Sequence, residues 1–341
     1  MACGLRASTR FEPLLVSVIQ ECHSLRMANR PLRILSQVGD ADALGLSSDL
    51  RERVEVVSVP PSQPVARDVT GDVLLMAFGN DAIYDLAERG VKWVHFIGTG
   101  INAFDVQRLA RGRVFTNSRG AVAVPISEWV LAVLLHHEKR LADVFIHAPP
   151  ASWPVRTPLG TLHGKQVALL GLGAIGANVA QRALPFGARV RALRHSDKPS
   201  PVAGVELVSS FDGLIADADH LILAAPLTPR TRHILNARAF ERAKPGLHVV
   251  NIARGELIDQ EALRAALESD VVSAASLDAV TPEPLPAGHW LYEHPKVRLS
   301  PHISWSWPGA HETVTRIFTA NLRRYLADQP LENVIDPALG Y

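Results

Sequence analysis

Ten residues, Val167-Ala-Leu-Leu-Gly-Leu-Gly-Ala-Ile-Gly176, constrain the fold of this chain more than any other stretch. Four apolar residues run straight into Gly171-x-Gly173-x-x-Gly176, and a helical pattern follows over 177–184. A strand, a glycine turn and a helix start in that order imply an α/β layer and a place for a pyrophosphate. The first amides of a helix have no intrahelical acceptor, and the helix dipole places partial positive charge there. The amides around Gly173, Ala174, Ile175 and Gly176 are therefore candidates to receive an anion. Gly171 permits the tight turn, Gly173 lets the main chain approach phosphates without a Cβ in the way, and Gly176 lets the helix lie close to the strand. The segment reads as a dinucleotide-binding fingerprint.

The bulk properties narrow the class. At 341 residues the chain is long enough for two cores. Its 47% hydrophobic and 20% charged residues are ordinary for a globular enzyme. A formal net charge of +1 with no long basic run points away from nucleic acid and anionic membranes as partners. No apolar stretch reaches the roughly 18–20 residues that span a bilayer. The two cysteines, Cys3 and Cys22, lie near the N-terminus, which leaves no disulfide framework or cysteine metal site in the body of the chain. Residues 1–30 are expected to form a tail outside the fold, with Met27 a candidate start, and the expected compartment is the cytoplasm.

From Leu32 onward, short apolar runs (32–35, 54–59, 73–76, 93–97) alternate with helical stretches (41–53, 81–89). Such alternation predicts a parallel sheet covered on both faces. The run ending Phe96-Ile-Gly-Thr-Gly-Ile-Asn102 enters a glycine-containing turn, where α/β proteins place ligands. A helix over 124–141 is apolar on every face between Trp129 and Leu135, so burial against another domain or a second subunit is expected. His136 and His137 are adjacent on it and face different ways, so no metal site is expected. A proline-rich arm (148–160) precedes a second series with strands at 166–170, 189–193, 220–223, 248–252 and 272–277. Its helices are expected at 178–184, 211–216, 231–242 and 260–267, and an amphipathic stretch at 311–326 follows. The expected class is α/β, with two doubly wound parallel-sheet domains.

The cofactor can be read at the second strand of that series. An acid about 20 residues beyond the fingerprint would hold an adenine ribose. Here the strand ends in Arg194-His195-Ser196 with no acid at its tip. A guanidinium fork and a hydroxyl suit a 2′-phosphate, so NADP is favoured over NAD.

Three further segments complete a pattern: Val250-Asn-Ile-Ala-Arg-Gly-Glu-Leu-Ile-Asp259, Leu277-Asp-Ala-Val-Thr-Pro-Glu-Pro-Leu-Pro286 and Leu299-Ser-Pro-His-Ile-Ser304. With the fingerprint, the Ser127-Glu128 helix and Ala225-Pro-Leu-Thr228, they closely resemble the D-isomer-specific 2-hydroxyacid dehydrogenases from about Leu32 onward. The resemblance implies a Rossmann cofactor domain (122–304) inserted in a flavodoxin-like substrate domain (31–121 and 305–341), with a cleft between and a homodimeric assembly. It implies that Arg254, next to Ile252 at the nicotinamide end, binds the keto oxygen and carboxylate of a small 2-keto acid. His302 would donate the proton as hydride arrives, and Glu283 would pair with its other nitrogen and favour the protonated ring. Asp278 would hold the nicotinamide carboxamide, Ala225 and Pro226 would lie against the cofactor ribose, and the amides of Thr99 and Gly100 would take the substrate carboxylate. Asn102 stands where the family usually has Asp, and Ala279-Val-Thr replaces the common Val-Phe pattern. Trp305 and Trp307 follow His302 closely, and at least one is expected to narrow the pocket.

The turn 98–102 carries no basic side chain, and no further domain is expected after Pro330, which argues against phosphoglycerate. A glyoxylate- or hydroxypyruvate-like acid is the expected substrate, reduced to the D-2-hydroxy acid, with pyruvate, phenylpyruvate and branched 2-keto acids left open because side-chain specificity lies in pocket shape. A rival reading, a low-turnover cofactor sensor that binds a partner, is disfavoured by the intact Arg254, Glu283 and His302. A formate-type reading is disfavoured by Glu283, where those enzymes carry Gln.

Overall fold

The computed structural model describes residues 30–61, 65–77, 82–153 and 158–340. The expected N-terminal tail, apart from Arg30, lies outside the described residues. The chain divides into two compact units: Met1–Ser118 with Val314–Ala338, and Arg119–Thr313 with Leu339–Tyr341.

The first unit contains β1 (Leu32–Ser36), α1 (Ser48–Arg51), β2 (Val54–Ser58), β3 (Val73–Met76), α2 (Ala82–Glu88), β4 (Trp93–Phe96), α3 (Val106–Ala110) and β5 (Val114–Asn117). Its strands pair in parallel in the order β2-β1-β3-β4-β5, a doubly wound arrangement. Strand side chains alternate between two cores. Leu35, Leu74, Met76, Val94 and Phe96 pack with Ile83, Leu86 and Leu109 on one side. Ile34, Val73, Leu75 and Trp93 pack with Phe318 and Leu322 on the other.

The second unit contains α4 (Ala123–Lys139), α5 (Leu141–Val144), β6 (Gln166–Leu170), α6 (Ala174–Ala183), β7 (Arg189–Leu193), β8 (Val205–Leu207), α7 (Phe211–Ile215) and β9 (His220–Leu223). It continues with α8 (Ala237–Arg242), β10 (Leu247–Asn251), α9 (Gln260–Glu268), β11 (Val272–Leu277) and β12 (Val297–Leu299). The helix α10 (Ala310–Leu326) supplies Phe318 and Leu322 to the first unit. The seven strands are parallel in the order β12-β11-β10-β9-β6-β7-β8. Strand order reverses between β6 and β9, the point at which open α/β sheets bind ligands. Every residue of β6 is buried: Ala168 and Leu170 face one core, Val167 and Leu169 the other. This explains its unbroken apolar run.

Several boundaries differ from the sequence reading. The stretch 41–53 is mostly turn, because the Asp40 carboxylate accepts the Asp42 and Ala43 amides and Gly45 is left-handed; only Ser48–Arg51 is helical. The helix expected from Thr231 begins at Ala237, where the Asn236 side chain caps the Ala239 amide. Upstream, Thr231 Oγ1 is taken up by the Thr228 amide and the Pro226 carbonyl, which holds a turn. The helix α4 buries Ile126, Val130, Leu131 and Leu134, while Val124, Glu128 and Ala132 are exposed. Its apolar girdle is thus covered on one face within this chain. Among the described residues no helix is long and apolar enough to cross a membrane, and no three His, Cys, Asp or Glu side chains are grouped to hold a metal.

Candidate active site

Five loops leave the carboxyl ends of adjacent parallel strands of the second unit and so share one edge of its sheet. They follow β6 (Gly171–Gly176), β9 (Ala225, Pro226), β10 (Ile252–Arg254), β11 (Asp278–Glu283) and β12 (Ser300–His302).

The glycine turn has the shape its spacing predicts. Gly171 is left-handed (φ 100°) and its amide donates to Leu193 O at 2.8 Å. A Cβ there would lie 2.8 Å from the Ala224 carbonyl carbon, and one on Gly176 would lie 2.2 Å from Gly171 O. Both sites exclude a side chain. At Gly173, the N-cap of α6, a Cβ would meet no atom within 4 Å. The space above the second glycine is therefore open, while Ala174, Ile175 and Gly176 precede the first intrahelical bond from Ala177 N–H to Gly173 O. These residues fit a pyrophosphate.

Arg194 directly follows β7, and its Nη1 donates to Pro199 O at 3.0 Å. His195 is exposed and Ser196 half-buried on the same loop. Ala225 and Ile252 are buried beneath the edge, and Pro226 is exposed.

Two of the chemistry-bearing groups, His302 and Glu283, are joined by a short hydrogen bond, and Arg254 is held by its own turn. His302 Nδ1 lies 2.9 Å from Glu283 Oε2, and Glu283 Oε1 accepts the Val280 amide at 2.9 Å. The carboxylate is thus held from its own loop while it engages the imidazole. Arg254 donates through Nη1 to Ala253 O at 2.6 Å. Burial draws its guanidinium below the usual value, opposed by the charges of Glu283 and Glu256. Glu283 therefore acts electrostatically on Arg254 as well as on His302. Next to Arg254, Gly255 sits against the β11 loop: a Cβ would lie 2.0 Å from the Val280 carbonyl carbon.

Some supporting residues were not legible as such in the sequence. Asn251 donates from Nδ2 to Arg254 O at 2.8 Å and Ala279 O at 3.1 Å, while its Oδ1 accepts the Ala253 amide. It thereby ties the arginine turn to the β11 loop. Its presence inside the Val250–Asp259 motif was the only signal. Asp278 is 1% exposed and faces the loop that carries His302. Trp305 donates its indole N–H to His302 O at 2.8 Å and is itself 45% exposed. Trp307 is equally exposed and lies against Gly309.

Thr99 and Gly100 belong to the first unit, just past the carboxyl end of β4. Asn117 Nδ2 donates to Thr99 O at 2.8 Å and so anchors that turn. The second unit by itself carries Arg254, Glu283, His302, Asp278 and Trp305 on the same sheet edge as the glycine turn.

Residues 131–304 match the family described as D-isomer specific 2-hydroxyacid dehydrogenase, NAD binding domain. A hydroxypyruvate reductase of Thermotoga maritima is 32% identical over 247 residues, 71% of this chain and 78% of that one. D-3-phosphoglycerate dehydrogenase 2, chloroplastic, of Arabidopsis thaliana is 30% identical over 301 residues, 85% of this chain and 45% of that one. The chain spans about half the length of the phosphoglycerate dehydrogenases first matched. Among solved structures, a D-isomer specific 2-hydroxyacid dehydrogenase from Xanthobacter autotrophicus Py2, in complex with NADPH and MES, superimposes with a TM-score of 0.75 at 24% identity. That match covers 92% of this chain and all of the other, and it shows the shared fold. Four motifs in order, a reversing parallel sheet with the glycine turn at its switch point, and these matches place the chain in the D-isomer-specific 2-hydroxyacid dehydrogenase family.

Proposed function

We propose that this protein reduces a small, unphosphorylated 2-keto acid to the D-2-hydroxy acid with NADPH. The observation that carries this reading is the 2.9 Å contact between His302 Nδ1 and Glu283 Oε2. With Nδ1 engaged, Nε2 is the nitrogen left to donate a proton to a carbonyl oxygen. The glycine turn and the Ala225-Pro226 loop would hold the cofactor, which when bound supplies the hydride. Arg254 would bind the carboxylate and keto oxygen through its planar fork and stabilise the charge that develops on that oxygen. The balance is one hydride to carbon and one proton from His302 to oxygen, after which solvent restores the imidazole proton.

The substrate class is supported by the absence of a basic side chain at 98–102 and by hydroxypyruvate reductase among the relatives. Arg194 with no acid at the strand tip supports NADPH over NADH. The same reading makes the second unit the cofactor domain and the exposed face of α4 a contact with a second copy of the chain.

The test is a panel of glyoxylate, hydroxypyruvate, pyruvate, phenylpyruvate and branched 2-keto acids, with NADPH and NADH in parallel, followed at the nicotinamide absorbance band. Turnover of the smallest acids with NADPH is expected. No turnover of any member would remove the proposal.

A further inference from the structure

We infer that Asp278 is a positioning residue for His302, because its carboxylate holds the turn that carries the imidazole in a left-handed conformation. The inference rests on the reading of His302 as proton donor. Asp278 ends the path of β11, where its own amide donates to Asn251 O at 2.9 Å. Its Oδ1 accepts Ser300 Oγ–H at 2.6 Å and the Ile303 amide at 2.9 Å, and its Oδ2 accepts the Ser304 amide at 3.0 Å. Three donors from five consecutive residues thus converge on one buried carboxylate, and they flank His302 on both sides.

What they hold is unfavourable by itself. His302 has φ 55°, a left-handed backbone that non-glycine residues seldom adopt unless their surroundings impose it. Within the turn, the His302 amide donates to Ser300 O at 2.9 Å, and the Ser300 amide returns to Leu277 O at 3.0 Å. Leu277 and Leu299 are register partners in the sheet, so the turn is anchored at its base by strand pairing and at its tip by Asp278. If the tip were released, His302 could relax toward right-handed or extended backbone and carry its ring away from Glu283. A carboxylate has about four lone-pair sites, and three are filled here, so one remains for a ligand. The loop-holding role therefore goes beyond the carboxamide contact that the family resemblance implies.

The test uses Asp278→Asn and Ser300→Ala in the full chain. The amide would present N–H groups to one or more of the donors, and the alanine removes one of the three bonds. We expect Asp278→Asn to lower kcat about 30-fold or more and Ser300→Ala about 5-fold; NADPH affinity by fluorescence titration should change less than about threefold in Ser300→Ala, which leaves the carboxylate itself in place. With NADPH deuterated at the transferred position, the isotope effect on kcat should rise in both variants, as a misplaced acid slows the chemical step. A smaller folded fraction would lower kcat without changing that ratio. An unchanged isotope effect, or an unchanged kcat with weakened NADPH binding, overturns the positioning role. Should Asp278→Asn fail to fold, Ser300→Ala decides on the same criteria. A His302→Ala variant that keeps full turnover would instead strike down the proposed function itself.

Discussion

His220 and His248 meet nitrogen to nitrogen, Nδ1 to Nδ1 at 3.1 Å, in the fully buried interior of the second unit. The ring of His137 stacks on His248 with centroids 4.4 Å apart. His248 Nε2 lies 3.0 Å from Ser276 Oγ, and His220 Nε2 lies 3.1 Å from Glu138 Oε1. A neutral His248 ring fits these contacts when its Nδ1–H donates to His220 Nδ1 and the Ser276 hydroxyl donates to its Nε2.

Acid should therefore weaken the fold well before carboxylates titrate. Burial pushes the His248 imidazole far below its usual value, His137 to about 4 and, in the first unit, His95 to about 3. The unfolded chain binds these protons near pH 6.5, so between that pH and the lowered folded values it holds more protons than the native state. Stability is then full above about pH 6.5 and falls as pH drops, by up to about 1.4 kcal/mol per unit for each of the buried His95 and His248 and by less for the partly exposed His137. Urea midpoints at pH 7.5, 6 and 5 check this; a flat profile would refute it.

His302→Ala should lower the reduction rate by about 10²-fold or more at neutral pH, and Glu283→Gln should cost about tenfold or more. The gap between the two follows from the geometry, since Glu283 acts through the imidazole. Steady-state rates with saturating keto acid separate them, and a near-normal rate for His302→Ala would refute the assignment.

Arg254→Lys keeps a charge and loses the planar fork. Because Nη1 donates to Ala253 O, the proposed substrate contact falls mainly to the other donors of the guanidinium. A rise of about tenfold or more in the keto-acid KM with a fall in kcat is expected, at unchanged NADPH affinity.

Two glycines of the turn should respond oppositely. At Gly173 an added Cβ enters open space, so Gly173→Ala should fold normally yet bind NADPH about tenfold or more weakly. At Gly176 the Cβ meets Gly171 O, so Gly176→Ala should lose about 1–3 kcal/mol of stability. Denaturant midpoints beside fluorescence titrations distinguish the two.

Arg194→Gln should reduce kcat/KM with NADPH about tenfold or more and leave NADH nearly unaffected. Equal losses with both cofactors would point to a structural role for the bonds of Arg194 to its own loop.

Much of this was legible in the sequence where one local pattern carried it. The glycine spacing announced the turn, and the unbroken apolar run of β6 announced a strand buried on both faces. The order of the motif segments put Arg254, Glu283 and His302 forward as candidates, and the structure brings His302 and Glu283 into contact. β5 was not visible, because it is four residues long and half polar, with Thr116 buried to receive the Trp93 indole N–H. β8 escaped as a three-residue edge strand with little burial. The roles of Asn251 and Ser300 escaped for another reason: each acts on groups 20 or more residues distant in part or all of its bonding, Asn251 on Ala279 and Ser300 on Asp278. No periodicity records such cross-links.

Asn251 has a consequence for how this chain can be altered. By grasping the carbonyls of both Arg254 and Ala279, it couples two loops that the chain writes separately. A graft that imports either loop alone from a relative would arrive without its counterpart, so a change of specificity by recombination has to take both as a single cassette.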